Sequence, residues 1–137
     1  MKFSLWRENG ALNSRPVFDA FANSLVVAGH DVVDNDSSSD VDVIWSVLWY
    51  GRMAANKRIW ENNQSSKKPT IVLEVGGIRR GITWKVGLNG INRDAYFGPT
   101  GNDYTRANHL GLHLKPWRSE GNYILICGQH EKSQQWE

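Results

Sequence analysis

Residues 41–48, VDVIWSVL, are apolar at nearly every position. A strand of this composition is typical of burial on both faces, as in the interior of a parallel sheet. Working outward, apolar residues at three- and four-residue steps predict a helix over residues 16–28, and a second helix is predicted over 53–62. Three shorter apolar runs are predicted as further strands: residues 2–6, 31–33 and 70–75.

The predicted order is strand, helix, strand, strand, helix, strand, and crossovers of this kind favour right-handed parallel pairing. Residues 78–121 have no clear period, apart from a short helix predicted over 104–112. A last buried strand is predicted at 122–127, NYILIC. The predicted fold class is therefore α/β, a Rossmann-like, mainly parallel sheet of five or six strands flanked by helices.

Length and composition favour one ordinary globular domain. The chain has 137 residues and a formal net charge of +2, which is too small to indicate nucleic-acid binding by bulk electrostatics. Its single cysteine, Cys127, lies in an apolar run and is predicted to be a buried thiol, which suits a reducing compartment. No apolar stretch approaches the roughly 20 residues that span a bilayer. A cytoplasmic location is the expectation.

A loop rich in glycine and arginine follows the strand at 70–75, within IVLEVGGIRRGITWKVGLNGINRD (residues 71–94). Backbone amides exposed by glycine, together with basic side chains, suit a polyanionic or polyhydroxylated ligand. The glycines match neither the dinucleotide fingerprint nor the phosphate-loop signature, so no cofactor of either kind is predicted. The loop's predicted ligand-binding residues are Gly76, Gly77, Arg79, Arg80, Trp84, Lys85 and Arg93.

Other residues are candidates for the same site. Glu8, Asn9 and Gly10 follow the first strand, at the edge where open parallel sheets gather ligands, although a solvated turn has the same composition. His30 is a candidate general base, and the alternative is a histidine that caps or packs. Glu74 interrupts an apolar run, so it is either a catalytic acid or base or one half of an ion pair with an arginine, Arg79 or Arg80.

No metal site is predicted. The spacing of Asp34, Asp36 and Asp40 matches no calcium loop, and a solvated acidic loop accounts for them. His109 and His113 are four residues apart and would share a helix face, but the sequence supplies no third ligand.

Four segments carry a resemblance to a known family: Gly-His-Asp-Val at 29–32, Trp-Tyr-Gly at 49–51, Glu-Val-Gly-Gly at 74–77 and Tyr-Ile-Leu-Ile-Cys-Gly-Gln at 123–129. In these segments the chain resembles the amino-terminal half of two-domain (GT-B-like) glycosyltransferases, in particular capsule-polysaccharide-type transferases and related phage-encoded proteins. The resemblance implies that residues 1–121 form the acceptor-side domain. Residues 122–137 would then be the first strand and turn of an incomplete second domain, or an added strand, with Gln129 and His130 facing a ligand.

The function implied by this resemblance is transfer of a sugar from a nucleotide-sugar to a glycan or modified-DNA hydroxyl. Glu74 or His30 would act as base, and the arginines Arg79, Arg80 and Arg93 would stabilise phosphate charge. The alternative is a non-catalytic module that binds a nucleotide, a glycan or a partner protein, so enzyme activity stays open. A third expectation is a homodimer, formed when the strand at 122–127 adds to a sheet edge.

Overall fold

The computed structural model describes residues 1–92, 94–96, 98–99, 103–113 and 115–128. Residues Met1–Pro99 form one compact unit, and a second unit begins after Pro99. The main elements of the first unit are, in chain order, β1 (Lys2–Leu5), α1 (Arg15–Val27), β2 (Asp31–Asp34), β3 (Val41–Trp45), α2 (Ala54–Ser66), β4 (Thr70–Val75) and β5 (Trp84–Leu88).

The sheet has the strand order β2-β1-β3-β4-β5. Strands β1 to β4 pair in parallel, and β5 pairs antiparallel with β4. These pairings confirm an α/β fold with a mainly parallel sheet, and they confirm the first four predicted strands and both long helices. The fifth strand is β5, which lies in the stretch where the sequence showed no period.

The two long helices pack on opposite faces of the sheet. Phe18 of α1 lies in one core with Leu5 and Trp45, whereas Ile44 and Val72 form a second core that the α2 residues Ile59 and Trp60 cover. All five residues of β3 are buried, alternating between these cores. The prediction of a strand buried on both faces is therefore confirmed for Val41–Trp45, whereas residues 46–48 lie beyond its end and Leu48 is exposed.

The connection from β2 to β3 contains no helix. It consists of the six residues 35–40, which lie between the end of β2 at Asp34 and the start of β3 at Val41, although parallel strands usually need a crossover of about a dozen residues or more. The Asp36 amide donates to Ser4 Oγ of β1 at 2.8 Å, so this short crossover runs over one face of β1.

The aspartates at the end of β2 and in this crossover contact neighbouring cationic and amide groups. Asp36 forms an ion pair with Lys2, and this contact, with that of Ser38, holds the pKa of the Asp36 carboxyl well below its usual range. Asp34 pairs with Arg7 at 2.8 Å, and Asp40 accepts the Lys2 backbone amide at 2.7 Å.

The strand predicted at 122–127 is wrong. These residues form no strand, and Ile124 and Ile126 are 91% and 88% exposed. Because a strand is stable only beside a neighbour that takes up its backbone hydrogen bonds, the apolar composition alone does not make one. Cys127 is likewise an exposed free thiol and not a buried one.

The second unit contains one short helix among its described residues, α3 (Thr105–His109). It lies within the helix predicted over 104–112 but ends earlier, so His113 falls outside it and does not share a helix face with His109. Among the described parts of the chain, no helix has both the length and the apolar character needed to cross a membrane.

Candidate functional site

Most of the described candidate residues lie at the carboxyl edge of the sheet. A 3₁₀ turn, Arg7–Asn9, follows β1, and the loop of residues 76–83 joins the end of β4 to the start of β5. Because β1 and β4 both run parallel to β3, and β5 runs back antiparallel, both segments lie at the same edge.

Of the three candidate residues that follow β1, Glu8 is the most accessible to a ligand and Gly10 has a structural role. Glu8 is exposed and Asn9 is half-buried, with the Asn9 carbonyl accepting from Asn56 Nδ2 at 3.3 Å. Gly10 is buried, and a Cβ at this position would lie 2.2 Å from Ser14 Oγ. Its lack of a side chain therefore serves packing against the start of α1.

The loop of residues 76–83 is a closed hairpin connection with exposed arginines. The Gly76 amide donates to the Thr83 carbonyl at 3.0 Å, and the Thr83 amide donates to the Arg79 carbonyl at 2.9 Å. Within this loop, Gly77, Arg79 and Arg80 are exposed. The loop thus presents two guanidinium groups at the carboxyl edge, as the sequence predicted.

The next two candidate residues belong to β5. Trp84 is half-buried and packs edge-on against Trp45, with 5.8 Å between ring centroids, so it contributes to the α1-side core. Lys85 is half-buried and lies directly opposite Glu74 in the β4–β5 register. Trp84 and Lys85 therefore lie on opposite faces of the sheet, since neighbouring residues in a strand alternate.

Glu74 is half-buried near the carboxyl end of β4. Its Oε1 accepts the Val75 amide at 2.7 Å. The described residues contain no ion pair between Glu74 and Arg79 or Arg80, so the ion-pair alternative gains no support.

His30 lies at the amino edge of the sheet, opposite the carboxyl edge, because it directly precedes β2. It directly precedes Asp31, whose amide donates to the Met1 carbonyl at the start of β1. The imidazole packs against Phe3, with 5.1 Å between ring centroids. The structure therefore does not bring His30 together with Glu74, and the environment of His30 is that of a packing residue.

Three candidate residues, Arg93, Gln129 and His130, lie outside the described residues. Within the described part of the chain, no group of three or more histidine, cysteine, aspartate or glutamate side chains is arranged to hold a metal ion.

A groove of about 960 Å³ runs beside α2, and sequence analysis did not predict it. It begins near Trp6 and Asn9 at the carboxyl edge and extends to Ser37 and Lys68 near the other edge. The six-residue crossover between β2 and β3 explains this space, because a longer connection with a helix would cover this face beside α2.

The floor of the groove is a buried network centred on Asp42, which is 2% exposed. Its Oδ1 accepts from Trp6 Nε1 at 2.9 Å and from Ser39 Oγ at 3.0 Å. Its Oδ2 accepts from Asn63 Nδ2 at 2.7 Å and from Lys68 Nζ at 2.9 Å. Four donors thus converge on one carboxylate. Their hydrogen bonds to Asp42 fix the orientation of Trp6, Asn63 and Lys68, which line the groove.

One signal in the sequence points to Asp42. It is the only charged residue within an apolar strand predicted to be buried on both faces, and a buried carboxylate needs donors around it. The identity of those donors does not follow from spacing, because they come from four separate segments.

Comparisons with protein-family models, with curated proteins and with solved structures found no match. Nothing in them identifies a glycosyltransferase domain, and the resemblance described above rests on the sequence segments alone.

Proposed function

We propose that this chain is a ligand-binding α/β domain that holds a phosphorylated small molecule, in particular a nucleotide-sugar, at the carboxyl edge of its sheet. The observation that carries the proposal is the strand order β2-β1-β3-β4-β5. From β1 the chain moves to one side of the sheet and from β3 to the other, and open α/β sheets bind ligands outside the carboxyl ends of strands at such a reversal.

The finer fold assignment, a Rossmann-like domain, belongs to the same proposal. It is supported by two strand–helix–strand units, β1-α1-β2 and β3-α2-β4, whose helices cover opposite faces. The antiparallel β5 distinguishes this sheet from a fully parallel one, and the six-residue connection from β2 to β3 lacks the helix that usually joins parallel strands.

The charges at this edge favour an anionic ligand. The exposed side chains of Arg79 and Arg80 lie on the same loop as the exposed Gly77. Guanidinium groups bind phosphate oxygens through charge-assisted hydrogen bonds, which are about twice as strong as neutral ones. Asn9, on the turn after β1, offers an amide side chain for a ribose or sugar hydroxyl.

Transfer of the sugar is the catalytic form of this proposal. An acceptor hydroxyl would displace the nucleotide at the anomeric carbon, and Glu74 would take the hydroxyl proton. The position of Glu74 suits this role better than that of His30, because only Glu74 lies at the same edge of the sheet as Arg79 and Arg80.

A thermal-shift titration with nucleotide-sugars carrying UDP, GDP and dTDP tests the proposal, because a ligand that binds only the folded state raises the melting temperature. We expect a shift for the wild type and for Arg118→Ala, an exposed arginine of the second unit. The shift should be lost in the double variant Arg79→Ala/Arg80→Ala. No shift with any nucleotide-sugar, or an equal shift in the double variant, would contradict the site.

The variant Glu74→Gln separates catalysis from binding. Loss of sugar transfer with an unchanged thermal shift would support the transferase. Binding without turnover in the wild type would instead support the non-catalytic module.

A further inference from the structure

The groove beside α2 has the lining of a binding site for an uncharged ligand. Half of its lining residues carry uncharged hydrogen-bonding side chains, which are Asn9, Ser37, Asn62, Asn63, Ser65 and Ser66. Trp6 adds an aromatic surface, with Ala55 and Ile59 as smaller apolar contacts. This mixture of amides, hydroxyls and an indole is suited to hydroxyl groups and the apolar face of a sugar ring.

Two of the three charged residues that line the groove neutralise each other. Lys68 is mostly buried and donates to Asp42, so its charge is balanced inside the network. Asp42 in turn accepts from four donors, which fill the roughly four acceptor positions of a carboxylate. Arg58 is the one exposed cation among the described lining residues.

The groove is also preformed. Asn63 is 5% exposed, and its side-chain amide donates to both Asp42 Oδ2 and Thr70 Oγ1. The indole of Trp6 is oriented by its bond to Asp42. Groups whose orientation is fixed before binding lose little conformational entropy on binding.

We infer that this groove binds a neutral saccharide, with Trp6 as the aromatic contact and the amides of Asn9 and Asn62 as partners for its hydroxyls. Asp42 does not contact the sugar; it is a positioning residue for Trp6, Asn63 and Lys68. The groove and the proposed nucleotide-sugar site share Asn9, but the rest of the groove lies along the flank of α2, whereas the loop of residues 76–83, the arginine loop, lies between β4 and β5. The two proposals can therefore fail separately.

The test is an NMR titration of the ¹⁵N-labelled chain with neutral di- and trisaccharides built from glucose, galactose, mannose and N-acetylglucosamine, and separately with inorganic phosphate. We expect at least one saccharide to shift the Trp6 indole and Asn63 side-chain resonances. Shifts confined to Gly76 and Gly77 would assign saccharide binding to the arginine loop and overturn the inference. It would also be overturned if phosphate alone shifted the groove resonances, or if no saccharide did.

A matched pair of variants tests the location. Ala55 and Ala54 are both exposed at the start of α2, but only Ala55 lines the groove. Ala55→Trp should fill the groove and abolish the saccharide shifts, whereas Ala54→Trp should leave them unchanged. Saccharide binding that survives Ala55→Trp in a folded protein would overturn the inference.

Discussion

Gly76 and Gly77 are neighbours with opposite tolerance for a side chain. A Cβ at Gly76 would lie 2.2 Å from the Thr83 carbonyl oxygen, whereas at Gly77 there is no atom within 4 Å. Gly76→Ala should therefore lower the free energy of unfolding by about 1–3 kcal/mol through overpacking. Gly77→Ala should be neutral or stabilise the fold by up to about 1 kcal/mol, because it restricts the unfolded chain. Urea denaturation of both variants measures the difference, and equal losses would contradict the hairpin geometry.

Asp42 and Glu61 carry the same charge in different surroundings. The ion pair of Asp42 with Lys68 is buried, with side-chain exposures of 3% and 16%, whereas Glu61 and Lys57 are 61% and 56% exposed. Asp42→Ala leaves a mostly buried ammonium without its partner and should lower the free energy of unfolding by about 3–5 kcal/mol.

Glu61→Ala, the control for Asp42→Ala, should change the free energy of unfolding by less than about 1 kcal/mol, because exposed ion pairs contribute little. Chemical denaturation of both variants is the measurement. A loss below about 1 kcal/mol for Asp42→Ala would show that the network is unimportant for stability.

At the scale of elements, the ends of the two long helices differ. Gly29 follows α1 with φ of +80°, a conformation that suits glycine, whereas Lys67, the residue directly after α2, has φ of +60°. Lys67→Gly should therefore raise the free energy of unfolding by up to about 1 kcal/mol, since it removes the Cβ penalty of a left-handed residue.

Lys57→Gly is the matched control, because Lys57 lies within α2. Glycine there should lower the free energy of unfolding by about 1 kcal/mol. Opposite signs for the two lysine-to-glycine variants in thermal or urea unfolding would confirm the described end of α2, and equal destabilisation would contradict it.

Elements with strong local signals were predicted correctly. The apolar steps of α1 and the apolar run of β3 were enough to predict a helix with one buried face and a buried strand. In contrast, β5 carries Lys85 and Gly87 within five residues and exists because β4 supplies a partner. Residues 122–127 have the stronger strand composition but no partner, so tertiary pairing outweighs composition in both cases.

The candidate site, like the fold, was only partly predictable from the sequence. The sequence correctly predicted that Asn9 and Arg79 lie at the carboxyl edge of the sheet. The edge at which such a residue lies depends only on the direction of the strand before it. The groove beside α2 was not predictable, since its existence depends on how a short crossover passes over β1. Its central residue, Asp42, contacts residues up to 36 positions away.

For the whole molecule, we expect the exposed apolar segment of residues 123–126 to promote self-association. Such segments, with high strand propensity and low charge, pair readily with exposed sheet edges. The double variant Ile124→Lys/Ile126→Lys should reduce the concentration-dependent sedimentation expected of the wild type in reducing buffer.

Leu12→Lys is the control for that double variant, because Leu12 is 83% exposed but isolated in a loop. It should sediment like the wild type. A wild-type chain that sediments as a monomer at every concentration would contradict the expected homodimer.

The carboxylate of Asp42 also has a consequence for how β3 finds its place in the sheet. A strand that is apolar on both faces gains nearly the same burial in two alternative registers, because a shift by one residue only exchanges its faces. In β3 such a slip would move Asp42 from its four donors into the α1-side core, among Phe18 and Leu5. The cost of burying an unpaired charge there makes the shifted pairing unfavourable. Asp42 therefore selects the correct alignment of the central strand during folding, whatever the groove binds.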